Sequence, residues 1–156
     1  MTIFSDEPLG DETHAPWPAL ALGGAGLLPF IALTAALYGG WADAGALARA
    51  LLVYGAVILS FLGGTWWGLA LNERDGRIAT QMYVVAVLPS IWAWAAFALS
   101  PPLCAAMLAA GFAAMGFADS SLAVWGPAPT WYGRFRVALS LVVTLCLGAA
   151  FFKLPG

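Results

Sequence analysis

"ALARALLVYGAVILSFLGGTWWGLAL", Ala46 to Leu71, carries one charge, Arg49, close to its start. A helix needs about 20 consecutive apolar residues to cross roughly 30 Å of hydrocarbon, and this stretch exceeds that. The whole chain follows the same pattern: 156 residues, 62% hydrophobic and 9% charged, with a mean hydropathy of +0.87. A soluble domain carries about 25% charged residues. One this small has too much surface for the deficit to be hidden in a core. The composition therefore predicts an all-α polytopic membrane helical bundle of about five transmembrane helices.

The other spans lie on either side of that stretch. They run from about Trp17 to Tyr38 with Pro29 inside, and from about Thr80 to Leu99 with Pro89 inside. A fourth runs from Leu103 to about Ala118 and a fifth from about Phe135 to Phe152. The "SPP" at Ser100 to Pro102 separates the third from the fourth, because a residue before proline avoids helical angles. Residues 17–156 thus read as a single domain. Residues 1–16, "MTIFSDEPLGDETHAP", hold four acids and no Lys or Arg. They match neither a secretory signal nor a mitochondrial presequence, and are expected to form a disordered acidic cytosolic tail.

Five spans put the two chain ends on opposite sides. The side of the N-terminus collects Arg74, Arg77, Arg134 and Arg136, against Arg49 and Lys153 on the other. Lys/Arg bias sets orientation, which predicts a cytoplasmic N-terminus. An Arg-over-Lys bias in an Ala- and Gly-rich chain suits a bacterial inner membrane. Trp17, Trp125 and Trp131 fall at the inner boundary and Trp41 at the outer one, where indole rings favour the interface. No basic run addresses nucleic acid. The expected partners are the lipid bilayer and other membrane-protein subunits.

Within the second span Ala56, Ser60, Gly64 and Gly68 recur every four residues and share a helix face. Such a face lets a neighbouring backbone come close, and Gly55 and Gly63 widen the groove. Ala105, Ala109 and Ala113 on the fourth span offer a matching surface. The alternative is that Gly64 and Gly68 leave room for a ligand or partner helix beside Trp66 and Trp67. These two indoles point about 100° apart, so one faces the bundle and the other faces lipid or a partner. Glu73, Arg74, Asp75, Arg77, Asp119, Arg134 and Arg136 all gather at the inner side. Asp119 ends or interrupts the fourth span; if that span continues, the carboxylate lies below the membrane surface and requires Arg134 or Arg136 as its partner. "PAPTWYGRFR", Pro127 to Arg136, reads as an interfacial hairpin anchored by Trp131 and Tyr132.

The single His, His14, lies in the tail. No two ionisable groups are expected in the membrane core, and no nucleophile–base pair or metal-ligand spacing is legible. The expectation is no enzyme, no metal and no cofactor. Cys104 and Cys146 sit in apolar stretches and read as small buried hydrophobes.

"YGAVILSFLGGTWWGLAL", Tyr54 to Leu71, with Asp119 and "PTWYGRFRVALSLVVT", Pro129 to Thr144, resembles the small membrane proteins of domain of unknown function 3429. The resemblance covers spans two to five and implies a polytopic membrane protein without implying an activity. That family tends to carry a more polar residue at the position of Trp66, which implies that this chain lacks a polar contact there. In layout alone, the five spans and many tryptophans are similar to tryptophan-rich sensory proteins, which bind tetrapyrroles and sterols; their motif order is not found here. Two functions follow as expectations. The first is a non-enzymatic accessory or assembly subunit. The second is a binding or transport protein for a quinone, tetrapyrrole or lipid, with a site near the cytosolic rim. The site residues for either are Gly64, Trp66, Trp67, Gly68, Asp119, Trp131, Tyr132, Arg134 and Arg136.

Overall fold

The computed structural model describes residues 15–125 and 129–154, with backbone alone at 122–125 and 130. The expected tail over 1–16 therefore lies almost wholly outside the described residues, as do Pro127 and the side chain of Trp125. Five α-helices follow in order: α1 Trp17–Gly39, α2 Ala44–Ala70, α3 Gly76–Ala96, α4 Pro101–Trp125 and α5 Thr130–Phe151. All five are long and apolar enough to cross a membrane. In hydrocarbon each backbone polar group needs a partner inside the segment, which the helix supplies.

The helix ends follow local chemistry. Gly40 sits at φ 62°, in the left-handed region, and its N–H bonds to Ala36 O to close α1. That turn needs a glycine because a Cβ is disfavoured there. Asp43 caps α2, its Oδ2 accepting from Ala46 N at 2.7 Å. Asp75 caps α3 by accepting from Arg77 N at 2.8 Å and Ile78 N at 3.3 Å. This cap starts α3 at Gly76, one turn before the expected Thr80. Pro129 precedes the first turn of α5. Residues from Thr130 to Arg136 are therefore helix, where an interfacial hairpin was expected.

The longest departure is in α4, which runs to Trp125 and carries Asp119 inside it. Its buried stripe reads Ala105, Leu108, Phe112, Met115 and Asp119, the three- and four-residue spacing of one helix face. The buried stripe of α5 is Arg136, Ser140, Val143, Leu147 and Ala150, and that of α2 is Gly55, Leu59, Leu62, Trp66 and Ala70. Two charged residues thus occupy core positions, which corrects the expectation of no ionisable pair inside the spans.

α4 and α5 form the most extensive helix pair, followed by α2 and α3. α1 packs on α2 and α5. Phe30, Leu51, Leu59, Leu108, Phe112 and Leu147 form the centre, with Phe30 edge-on to Phe112 at 5.7 Å between ring centroids. Polar side chains tie helices to one another's carbonyls. Tyr54 donates to Gly26 O at 3.0 Å, and Trp92 Nε1 donates to Met107 O at 2.6 Å. Thr144 donates to Ala109 O at 3.4 Å.

The close approach on α2 falls on Gly63, expected only to widen the groove, and not on Gly64 and Gly68. A Cβ at Gly63 would overlap the carbonyl oxygen of Ala86 on α3, whereas Gly64 and Gly68 have nothing within 4 Å of such an atom. Gly63 is thus where two backbones meet, and Gly64 and Gly68 face outward. Ala105 and Ala109 are buried as expected, but Ala113 is exposed. Cys104 and Cys146 are free thiols within the bundle.

Candidate functional site

The buried polar groups converge near the end of the bundle where α2 finishes and α5 begins. Gly116 on α4 and Ser140 on α5 let these helices approach closely: a Cβ at Gly116 would lie 2.8 Å from Ser140 Cβ. Asp119 lies about one turn beyond Gly116, and Arg136 about one turn before Ser140. The antiparallel pair therefore brings the two charges face to face. Arg136 Nε donates to Asp119 Oδ2 at 2.7 Å. The other carboxylate oxygen, Oδ1, accepts from Trp66 Nε1 at 2.8 Å.

Asp119 is 0% exposed and Arg136 8%. With a rise of about 1.5 Å per residue, the pair lies roughly 9 Å inside the ends of α4 and α5. A charge at that depth is tolerated only when paired and hydrogen-bonded. Here the carboxylate has one N–H for each oxygen, so α4 can run past Asp119 without exposing it to lipid.

Tyr132 covers the outer side. The Arg136 Cζ lies 5.8 Å from its ring centroid, within the range of a cation–π contact. Its hydroxyl is 3.4 Å from Thr65 Oγ1. Thr65 gives its own proton to Leu62 O at 2.7 Å, so Tyr132 is the donor in that pair. The network thus runs from α2 through Trp66 and Thr65 to α4 and α5.

One group is left over. Arg136 Nη2 is buried and has no hydrogen-bond partner among the described residues. Arg136 also lines a cavity of about 130 Å³, together with Phe30, Leu62, Phe112, Ser140 and Val143. Apart from Arg136 and Ser140 the walls are apolar side chains and the glycines of α1.

Of the residues expected at a site, Trp66, Asp119, Tyr132 and Arg136 are brought together. Gly64, Trp67, Gly68 and Arg134 are exposed and lie outside the network. Trp67 packs edge-on to Tyr83 at 4.8 Å between ring centroids. Trp131 is half-buried against Phe135, at 6.1 Å. The expected loss of a polar contact at Trp66 is corrected, because the indole N–H makes that contact itself. Sequence reasoning did not place Thr65, Gly116 and Ser140 at the site. A small residue one turn from each charged residue is the signal that could have found the last two.

The model of a family described as "Protein of unknown function (DUF3429)" matches residues 15–152. Transmembrane protein 69 of Xenopus tropicalis is 33% identical over 135 residues, covering 85% of this chain and 53% of the relative. Transmembrane protein 69 of Mus musculus is 30% identical over 141 residues, covering 85% and 57% respectively. The chain spans about half the length of these curated relatives. No solved structure matches. With the match running nearly end to end, the chain belongs to the DUF3429 family.

Proposed function

We propose that this DUF3429 membrane protein is a non-enzymatic binding protein for a lipid-soluble molecule, held between α1, α2, α4 and α5 and oriented by Arg136. One observation carries the reading: Arg136, whose buried Nη2 has no hydrogen-bond partner among the described residues, lines a largely apolar cavity. Inside a bilayer an unused N–H costs more than it would beside water, so a donor kept there favours an acceptor arriving from outside the chain. Apolar walls with a few convergent polar groups are the usual make-up of a small-molecule site.

Trp66 shares Asp119 with Arg136, so its fluorescence reports on the site. Titrating the purified protein with a quinone, a tetrapyrrole and a phospholipid is expected to give saturable quenching by at least one of them. That quenching should shrink in Trp66→Phe. Absence of saturable quenching by all three would end the reading.

A second reading, an accessory subunit, is favoured by a groove of about 710 Å³ between α3 and α4, bordered by Trp92, Met107, Gly111 and Met115. Its occupant would be a partner subunit's transmembrane helix, which small residues such as Ala110 and Ala114 allow to approach. Gentle extraction and native mass analysis should then give a complex; a solitary monomer would count against it. The Lys/Arg distribution supports a cytoplasmic N-terminus, and the Arg-over-Lys bias of an Ala- and Gly-rich chain supports placement in a bacterial inner membrane. Labelling of single cysteines placed in residues 71–75 and 40–43 from each side tests the orientation.

A further inference from the structure

Resting on the binding reading, we infer that the head group met by Arg136 is an uncharged acceptor, a carbonyl or ester oxygen. Its carrier reaches the site sideways from the bilayer, between α1 and α2. The first half follows from charge. Asp119 Oδ2 is held by Arg136 Nε and Oδ1 by Trp66 Nε1. The pair is thus neutral before any ligand arrives. A carboxylate or phosphate on Nη2 would add a net negative charge to a space with low-dielectric walls. No second cation lines it among the described residues: Arg134 is exposed on another side of α5, Arg74 and Arg77 are exposed between α2 and the start of α3, and Arg49 and Lys153 belong to the opposite end of the bundle. An uncharged oxygen takes the hydrogen bond without that desolvation penalty.

The second half follows from the cavity's rim. Leu22 on α1 and Phe61 on α2 both line it, yet they are 74% and 66% exposed. In a membrane helix, exposed apolar side chains face acyl chains, so the mouth opens to lipid. Gly23 and Gly26 keep the α1 wall thin. At Gly23 the space for a Cβ is already filled by Phe135. A ligand with its head at Arg136 would extend its tail past Leu22 and Phe61 into the bilayer.

The test uses the full chain in lipid nanodiscs and two probes of matched tail length: a short-tailed benzoquinone and laurate. The quinone is expected to quench saturably, with laurate at least tenfold weaker. Arg136→Lys retains a cation for Asp119 but deletes Nη2, and should weaken quinone binding at least tenfold while the protein still melts cooperatively. Leu22→Trp should slow quinone association, whereas Leu28→Trp, exposed elsewhere on α1, should not. Laurate binding as tightly as the quinone, or Arg136→Lys binding as wild type does, overturns the head-group assignment while the binding reading stands. Equal association rates in the two Trp variants overturn the lateral route. Failure of both probes to saturate overturns the head-group assignment, and the binding reading falls with it only if the tetrapyrrole and the phospholipid fail as well.

Discussion

Removing Asp119 should damage the protein more than removing both members of its ion pair. In Asp119→Leu the Arg136 side chain, 10% exposed, loses its counterion and cannot shed its charge. Breaking a buried pair from one side costs about 3–5 kcal/mol. An unpaired arginine at depth costs about 2.5–3.5 kcal/mol on the insertion scale, which describes part of the same penalty. Trp66 Nε1 also loses its acceptor, worth about 1–3 kcal/mol and partly overlapping. A loss of about 4 kcal/mol is therefore expected for Asp119→Leu. Arg136→Met is milder, because the remaining carboxylate keeps the Trp66 bond. Asp119→Leu with Arg136→Met leaves no buried charge, so its loss should fall to about 2 kcal/mol or less. The coupling should therefore be at least about 2 kcal/mol. Reversible unfolding in mixed micelles by added dodecyl sulfate, followed by tryptophan fluorescence, measures all four proteins. Losses that simply add, with coupling below about 0.5 kcal/mol, would refute the claim that the pair is a desolvated lock.

Further predictions concern α2. Gly63→Ala places a methyl in the backbone of α3 and should cost about 1–3 kcal/mol, while Gly64→Ala meets open space and should be neutral or stabilising by up to about 1 kcal/mol; thermal melts in detergent compare them. Trp66→Phe removes a hydrogen bond to a charged group and should cost about 1.5–3 kcal/mol in the same micelle assay. Brominated acyl chains should quench Trp67, which is 49% exposed, and spare Trp66, which is 8% exposed, when each is compared with its own Trp→Phe variant.

The five spans were legible because charge is scarce and long apolar runs are unambiguous at this composition. The pairing of Asp119 with an arginine of α5 was legible for a related reason: in lipid, a polar residue has few places to go. The choice between Arg134 and Arg136 depends on rotation, since two residues turn a helix by about 200°. The stripe Arg136, Ser140, Val143, Leu147 contains the answer once the helix is known to begin at Thr130. Trp66 is picked out from Trp67 in the same way, by its spacing from Gly55, Leu59 and Leu62. The close-packing face of α2 was misread because small residues line more than one side of that helix. Water marks the outside of a soluble helix, but acyl chains do not distinguish Gly64 from Gly63. The difference is supplied by α3, where the Ala86 carbonyl faces Gly63 and nothing faces Gly64.

The same indifference of lipid explains why the ion pair matters to the site beyond its own energy. Along α4 and α5 the contacts run in opposite order: Thr144 with the carbonyl of Ala109, Ser140 with Gly116, Arg136 with Asp119. Apolar contacts between such helices are nearly interchangeable if one helix slides past the other by a turn, about 5.4 Å. The ion pair is not, because that slide would carry Arg136 Nε out of reach of Asp119 Oδ2 and strand both charges. Trp66 extends the constraint to α2, whose rotation must keep the indole N–H on Asp119 Oδ1. With three helices fixed in register and rotation, the guanidinium turns Nε to Asp119 and leaves Nη2 buried with no partner among the described residues. An unpartnered donor on a side chain free to move would find a carbonyl of its own helix. This one is held away from such a partner by the bonds that stabilise the bundle, and on the proposed binding reading it is the clamp that leaves the donor for a ligand.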